Sequence, residues 1–224
     1  MATVNLLEQF IDVQLQEWGR PDSEKKNART GPVIAISREP GCDGEAIART
    51  LAKACGLVLY DSKIVEEIAH DAQVSERLVA TLDETLRSEL DEWLADFIGG
   101  DTLSAHQYLQ SLRRILFAIA AHGNAVILGR GGNFLLPPEK RTLGLCLVAP
   151  FGVRVNNIMQ KLHLSEQGAR EQILKKERER RLWVKKLSQA DINDATNYHL
   201  VINTALVTPE TMVQIVKGII RARP

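Results

Sequence analysis

The sequence predicts an α/β fold, a five-stranded parallel sheet with helices on both faces. Two observations lead to this prediction. From residue 33 onwards, short apolar runs without a helical period alternate with segments whose apolar residues recur at helical spacing. The first apolar run, residues 33–36, is followed by a turn that contains Gly41 and Gly44 and opens directly into a helical segment. A strand, a glycine-containing turn and a helix N-terminus in this order are typical of a phosphate-binding loop.

Each element has its own sequence signal. Short apolar runs predict strands at residues 33–36, 57–60, 125–128, 143–148 and 200–203. Helical spacing of apolar residues predicts helices at residues 44–54, 62–72, 75 to about 123 with a break at Gly99 and Gly100, 153–162 and 165–187. Gly56 is the predicted C-terminal cap of the first helix, and Asp61 is the predicted N-cap of the second. Thr208, Pro209 and Glu210 open the last helix in the order cap, proline and acid.

The first 31 residues lie outside this alternating pattern. Residues 4–18 have apolar residues at helical spacing, and residues 19–32 form a polar connector rich in Lys, Arg, Asp and Asn. We therefore divide the chain into an N-terminal helix with a linker, residues 1–31, and one α/β domain, residues 32–224. The N-terminal helix is expected to pack either on this domain or on a second subunit as a homodimer contact.

The charge balance excludes two classes of partner. Lys plus Arg and Asp plus Glu both number 28 in 224 residues, so the formal net charge is zero. Binding to nucleic acid or to a membrane surface rests on excess cationic charge, so neither is expected. No apolar run approaches the roughly 18 to 20 residues that span a bilayer, and the N-terminus lacks the pattern of a secretory signal. Cys42, Cys55 and Cys146 lie far apart without CxxC spacing, which indicates free thiols in a soluble, cytoplasmic protein.

The turn after the first strand is the first candidate site. A bound phosphate needs several N–H donors that converge on it, and glycine lets the backbone come close. Gly41 and Gly44 meet this need at the start of a helix, although the complete pattern G-x-x-x-x-G-K-[ST] is missing. The alternative is a tight turn that only packs a helix on the sheet.

Two further polar segments follow the predicted ends of strands. Asp61 and Ser62 come after the second strand, where a carboxylate and a hydroxyl can hydrogen-bond a sugar or a base. Capping of the next helix explains Asp61 almost as well. Arg130 lies between Gly129 and Gly131 after the third strand. Its planar fork suits a phosphate, so we favour ligand contact over a solvated surface position.

A strongly charged helical segment begins near residue 175. Arg178, Arg181 and Lys185 share one face of the predicted helix, and Arg180 points elsewhere. Charged helices of mixed sign are usually only solvated. Beside a phosphate-binding loop, however, arginines on such a helix would stabilise charge on a transferred phosphoryl group.

These segments in this order resemble nucleoside monophosphate kinases, and specifically the cytidylate kinase-like family of P-loop proteins. The resemblance runs from about residue 33 to the C-terminus. It is carried by Ser37 and Arg38 followed by Gly41 to Gly44, by Gly129 to Gly131, and by the segment from Tyr198 to Thr204. It implies a P-loop NTPase-type sheet, with residues 75–123 as a helical insertion on the acceptor side and residues 163–190 as a lid. It also implies ATP and Mg²⁺ as cofactors, and a nucleotide or another phosphorylated small molecule as the partner.

The resemblance also implies roles for individual residues. Asp61 and Ser62 match a pair that contacts the acceptor nucleotide, and Arg130 matches an arginine that holds the acceptor phosphate. The remaining catalytic arginines of the family correspond to Arg154, early in the helix after the fourth strand, and to the lid arginines Arg178, Arg180 and Arg181. The loop that binds the nucleotide phosphates corresponds to Arg38, Gly41, Cys42, Asp43, Gly44, Glu45 and Ala46.

The loop departs from the family pattern at its charged positions. Gly44 stands where the phosphate-binding lysine is expected, and Glu45 stands where the Mg²⁺-binding Ser or Thr should follow. Asp43 replaces a usual glycine, and Leu128 replaces an aspartate that helps to hold the metal. Arg38 is the candidate to fold back and supply the lost positive charge. Alternatively, Asp43 and Glu45 hold Mg²⁺, which favours carboxylate oxygens.

Two functions therefore remain open. The first is phosphoryl transfer from ATP to a nucleoside monophosphate, cytidylate-like, or to another small acceptor. The second is a catalytically impaired P-loop protein that senses a nucleotide or an anion. Retention of Asp61, Arg130 and the lid arginines favours the kinase, whereas loss of the lysine and of the Ser or Thr favours the sensor. We favour the kinase by a small margin, and a purely structural role ranks third.

Overall fold

The computed structural model describes residues 2–18, 31–95, 103–140 and 143–222. Contacts between residues divide the chain into two compact units. One unit, called the helical unit below, comprises Met1–Gly31 and Ser62–Gly123. The other, called the sheet unit, comprises Pro32–Asp61 and Asn124–Pro224. This division groups the N-terminal helix with the segment that the sequence predicts to be an insertion.

The sheet unit contains the five predicted strands. They are β1 Val33–Arg38, β2 Val58–Tyr60, β3 Ala125–Leu128, β4 Leu143–Val148 and β5 Leu200–Asn203. All neighbouring strands are parallel, in the order β2-β3-β1-β4-β5. The strands β1, β3 and β4 are almost entirely buried, which explains why they are continuous apolar runs. The predicted five-stranded parallel sheet is confirmed.

Helices cover both faces of this sheet. They are α2 Gly44–Cys55, α7 Gly132–Leu135, α8 Phe151–Leu162, α9 Glu166–Ser188 and α10 Pro209–Ala222. Side chains of α2 and α10, such as Leu51 and Val216, pack on Ile34 and Ile36 of β1. On the opposite face, the short helix α7 buries Asn133, whose amide donates hydrogen bonds to the carbonyl oxygens of β1 and β4. The central strand is thereby held from both sides.

The helical unit consists of α1 Ala2–Trp18, α3 Ser62–His70, α4 Ala72–Ala80, α5 Glu84–Ala95 and α6 Leu103–His122. The helix α6 packs against α3, α4 and α5, and its Leu112, Ile115 and Leu116 are fully buried. The helix α1 contacts α4, where Arg77 donates a hydrogen bond of 2.7 Å to Asp12. A contact of α1 with a second subunit stays a prediction.

Some boundaries differ from the sequence prediction. The helix predicted over residues 62–72 ends at His70, because Asp71 is extended and its carboxylate accepts a hydrogen bond from the amide of Val74, which starts a new helix. The second strand begins at Val58, one residue later than predicted. The break at Gly99 and Gly100 and most of the polar connector lie outside the described residues. Within the described ranges, no helix has both the length and the hydropathy that a membrane span requires.

The thiols of the sheet unit give a test of its packing. Burial raises the pKa of Cys42 and of Cys146 to about 11, whereas Cys55 is only half-buried. At pH 8 a thiol of that pKa is on the order of 0.1% thiolate. We expect iodoacetamide to label Cys55 first in the native protein, as peptide mass spectrometry can measure. Labelling of Cys42 as fast as Cys55 would contradict the burial of the loop.

The same pKa shifts predict a loss of stability at high pH. The unfolded thiol ionises near 9.0, below its native pKa of about 11. The contribution of the thiols to the free energy of unfolding is therefore fully present below pH 9 and is lost as the pH rises towards 11. Urea unfolding at pH 8 and pH 10.5 measures this loss, and Cys42→Ala should make it smaller.

Candidate functional site

The loop between β1 and α2 has a defined backbone. Gly41 and Asp43 adopt left-handed conformations, with φ of 86° and 57°. The amide of Glu39 donates to the carbonyl of Leu147 at 2.9 Å, and the thiol of Cys42 lies 3.5 Å from the same oxygen. The loop is therefore fixed to β4 before the chain enters α2, and the N-terminus of α2 opens at the carboxyl edge of the sheet.

Side chains of α8 hold the outer side of this loop. Asn157 donates hydrogen bonds to the carbonyl of Gly41 at 2.8 Å and to the carboxylate of Asp43 at 3.1 Å. One turn further along the helix, Lys161 lies 3.2 Å from the carboxylate of Glu45. The carboxylates of Asp43 and Glu45 are therefore both engaged by side chains of α8. Neither carboxylate is left without a partner beside the predicted phosphate position.

Two arginines meet at the loop, and a third lies close enough to repel both. The side chain of Arg38 passes beneath Gly44 and its guanidinium lies against Gly129. Arg180, from α9, donates a hydrogen bond of 2.7 Å to the carbonyl oxygen of Arg38. Arg130 follows Gly129 in a left-handed turn, with φ of 48°. We call Arg38, Arg130 and Arg180 the arginine cluster.

The electrostatics of the arginine cluster favour an anion. Burial, with repulsion from Arg180 and to a lesser degree from Arg130, lowers the pKa of Arg38 to about 10. Burial and repulsion from Arg130 also lower the pKa of Arg180, although Glu45 acts in the opposite direction. Arg38 remains a cation at neutral pH. A bound phosphate would relieve this repulsion, since guanidinium groups bind phosphate oxygens with two parallel hydrogen bonds.

Arg154 has carboxylate partners of its own. Its buried guanidinium lies 2.5 Å from Glu177 of α9 and 3.3 Å from Glu39 of the loop, and it also donates to the carbonyl of Ala149. The residue thus connects the loop, the turn before α8 and the helix α9. Its predicted contact with a ligand phosphate stays a prediction, and the structure gives it this connecting role.

The other predicted residues occupy different places. Arg178 lies on the exposed face of α9, and the exposed Arg181 lines a cavity under the same helix. Asp61 follows β2 and lies 3.7 Å from Arg49 of α2. Ser62 is the first residue of α3 and belongs to the helical unit. The structure brings together the loop and Arg180, but it does not bring Arg178 to them.

Two cavities adjoin the loop. The smaller one, about 120 Å³, is lined by the loop and by Arg38, Asn157, Lys161, Lys176 and Arg180. The larger one, about 280 Å³, lies against the sheet and shares Arg38 and Arg180 with the first; its lining includes Ser37, Cys146, Glu177, Arg181 and Tyr198. Together they provide a phosphate-sized space next to a space for a larger organic group.

Three polar side chains of α8 and α9 that line the smaller cavity, Asn157, Lys161 and Lys176, are not among the predicted site residues. Asn157 and Lys161 are three and seven residues after Arg154, which is the spacing of one helix face. Lys176 precedes Arg180 by four residues on α9, again on one face. Helical spacing from Arg154 and Arg180 could therefore have identified these lining residues from the sequence.

The predicted magnesium ligands do not fit a metal held by the protein. Asp43 accepts a hydrogen bond from Asn157, and Glu45 pairs with Lys161. The pKa of Glu45 is lowered chiefly by this hydrogen bond from Lys161. Among the described residues, no group of three or more His, Cys, Asp and Glu side chains could hold a metal ion. We therefore derive no step through a metal bound by Asp43 and Glu45.

The conformation of Gly41 gives one test of the loop. A Cβ atom at this position would lie 2.6 Å from the carbonyl oxygen of Arg154, and the φ of 86° strains any other residue. We expect Gly41→Ala to lower the free energy of unfolding by about 1–3 kcal/mol in urea denaturation. The control Gly152→Ala, in α8 with nothing near its Cβ position, should raise it by about 0.5–1 kcal/mol. Equal effects would contradict the close approach.

The ion pairs of Arg154 give a second test. Arg154→Ala leaves Glu39 and Glu177 without their cation, so we expect a loss of about 3–5 kcal/mol in the free energy of unfolding. Arg170→Ala is a matched control, because both guanidinium groups lie 5.3 Å from the ring of Phe151. Arg170 forms an exposed pair with Glu166, so the control should lose at most about 1 kcal/mol. A loss for Arg154→Ala as small as that of the control would refute its connecting role.

Known proteins share this fold. A shikimate kinase structure from Bacteroides thetaiotaomicron superposes with a TM-score of 0.50 at 13% identity, covering 85% of this chain and 98% of that chain. This likeness concerns the fold alone. A uronate isomerase of Corynebacterium glutamicum is 37% identical over 124 residues, which are 54% of this chain. The chain spans only 24% of the length of that protein.

Sequence relatives over nearly the whole chain are more informative. A cytidylate kinase of Ignicoccus hospitalis is 26% identical over 186 residues, which are 83% of this chain and 96% of that protein. The sequence profile of the cytidylate kinase-like family matches residues 33–206. This match covers the sheet, the loop between β1 and α2, Arg130 and the helix α9. The chain therefore belongs to the cytidylate kinase-like family.

Proposed function

We propose that this protein binds ATP at the loop between β1 and α2 and transfers its terminal phosphoryl group to a small phosphorylated acceptor, such as a nucleoside monophosphate. The observation that carries the proposal is the arginine cluster at the N-terminus of α2. Three guanidinium groups at one loop suit a ligand with several phosphates better than a single anion. Membership of the cytidylate kinase-like family supports the same reaction.

Each part of the site has a role in the proposed reaction. The amides at the start of α2, with Arg38, would hold the donor phosphates. Arg130, beside Arg38 at the end of β3, would hold the acceptor phosphate. Arg180, from the lid helix α9, would neutralise charge on the phosphoryl group in flight. Asp61 and Ser62 remain the proposed contacts of the acceptor nucleoside.

The proposed transfer is a single displacement. An oxygen of the acceptor phosphate attacks the γ-phosphorus of ATP and forms a new P–O bond. The bond between the γ-phosphorus and the bridging oxygen breaks, and its electron pair stays on the β-phosphate of ADP. A phosphate monoester dianion needs no base to remove a proton. The proposed catalysis consists of positioning and charge neutralisation. Magnesium would enter with the nucleotide, bound to its phosphates.

A second function is favoured by specific residues. Asp43, Glu45 and Leu128 stand where the family pattern has a glycine, a hydroxyl and an aspartate, and all three exchanges weaken metal-assisted transfer. A protein with these exchanges would hold a nucleotide without turning it over. The alternative proposal is therefore a nucleotide sensor or regulator that uses the same loop.

Ligand-dependent melting separates the two proposals. We expect ATP and one of the four common nucleoside monophosphates each to raise the melting temperature, by roughly 5–10 °C at a hundredfold excess over Kd. ADP should appear with time when both are present with Mg²⁺. A shift with ATP alone and no ADP would favour the sensor. No shift with any nucleotide would refute both.

Arg130 gives the residue-level test of the acceptor position. Arg130→Ala should weaken acceptor binding by about tenfold or more while the ATP shift is kept, because a charge-assisted hydrogen bond contributes about 1.5–3 kcal/mol. Arg221→Ala, an exposed arginine of α10, is the matched control and should change neither shift. If Arg130→Ala leaves every shift unchanged, Arg130 does not belong to the site.

A further inference from the structure

The spacing of the phosphate-loop pattern relates two positions of this chain. In G-x-x-x-x-G-K-[ST], the first glycine precedes the lysine by six residues, and the lysine leads into the helix. Here the helix α2 begins at Gly44, and six residues earlier stands Arg38. The cation therefore occupies the position of the first glycine, and a glycine occupies the position of the lysine.

The structure gives a steric reason for this pairing. A Cβ atom on Gly44 would lie 2.8 Å from both Cβ and Cγ of Arg38. The stem of Arg38 thus fills the space that a side chain at position 44 would enter. The backbone does not explain the glycine, because the positive-φ glycines of the loop include Gly41 but not Gly44.

A second glycine, Gly129, leaves room for the guanidinium end of the Arg38 side chain. A Cβ atom on Gly129 would collide with Nη1 of Arg38. The side chain of Arg38 therefore runs from the end of β1, beneath the first residue of α2, to the turn that carries Arg130. The side chain ends beside the other members of the arginine cluster, next to the amides of α2 that would face a bound phosphate.

The guanidinium of Arg38 is poorly compensated by the protein. In the ranges that the structure describes, no carboxylate lies within ion-pair distance of it. Its charged neighbours include two cations, Arg180 and Arg130, and the carboxylate of Glu45, whose effect on the pKa of Arg38 is smaller than that of Arg180. A half-buried guanidinium close to two other cations favours a counter-anion, and the loop is the place where one would bind.

We infer that the cation and the glycine of the phosphate-loop pattern have changed places in this chain, at positions 38 and 44. Arg38 replaces the missing lysine and holds the β- and γ-phosphates of a nucleoside triphosphate. This inference rests on the proposed function, since it assigns the donor phosphates to a named side chain. The planar fork of Arg38 contacts two phosphate oxygens at once, whereas a lysine acts as a point charge. Because the cation comes from the strand, it reaches the ligand from beneath the loop.

An exchange of the two residues tests the inference. The probe is inorganic tripolyphosphate, titrated by calorimetry into the full chain and into Arg38→Gly, Gly44→Lys and the double variant R38G/G44K. We expect Arg38→Gly to bind at least about tenfold more weakly than the natural chain. The double variant, with its lysine in the cleared space, should bind at least several-fold more tightly than Arg38→Gly. Arg221→Ala should bind as the natural chain does.

Stability provides a second readout that needs no ligand. Gly44→Lys alone forces the new side chain against the stem of Arg38, so its melting temperature should fall. In R38G/G44K the obstruction is gone, and the melting temperature should recover above that of Gly44→Lys. Circular dichroism of each variant establishes that it is folded before binding is compared. Such non-additivity is expected where two side chains compete for one space.

Several results would overturn the inference. One is tripolyphosphate binding by Arg38→Gly within twofold of the natural chain. Another is a folded double variant that binds no better than Arg38→Gly, and a third is the absence of tripolyphosphate binding by the natural chain. Failure of the proposed function has a different signature. In that case tripolyphosphate binding depends on Arg38, but ATP with any nucleoside monophosphate yields no ADP.

Discussion

Repulsion between like charges is the constraint on which the site depends. Arg38 and Arg180 are held close together at the loop. Burial and repulsion from Arg180 lower the pKa of Arg38, and burial and repulsion from Arg130 lower the pKa of Arg180. The surrounding contacts keep them there: Asn157 binds the loop from outside, and Arg154 joins it to α9. The folded chain therefore maintains an arrangement that an anion would make more favourable. A site of this kind is preorganised for an anion.

Much of the fold follows from the sequence, for a physical reason. Strands covered on both faces are continuous apolar runs, so β1, β3 and β4 are recognisable in isolation. Arg130 stands out in the sequence because glycines flank it, but the structure gives both glycines a steric reason. A Cβ atom on Gly129 would collide with Arg38, and one on Gly131 would lie 2.9 Å from Leu187. The partners of Arg154 were not predictable, because Glu39 and Glu177 lie far from it in the chain and meet only in the fold. Helical spacing grouped Arg178 with Arg181, but it does not say which face is buried, and the structure turns Arg180 inward.

The altered loop separates binding from transfer. In the proposed function, phosphate binding rests on the amides, the glycine turn and the arginines. Metal-assisted transfer depends on the hydroxyl and the aspartate, which this chain replaces with Glu45 and Leu128. Since Lys161 and Asn157 engage the carboxylates of the loop, these residues repel a nucleotide less than their charges alone suggest. Membership of the family and the altered loop are therefore compatible. The exchanged residues decide how fast any transfer proceeds.

The narrow passage beneath the first turn of α2 has an evolutionary consequence. It admits one long side chain, so an arginine at position 38 and a lysine at position 44 exclude each other. An ancestor with one arrangement could not reach the other by gaining the second cation first. The intermediate would carry neither cation and would bind phosphate more weakly until the next substitution arose. Descendants would then inherit both positions as a linked pair.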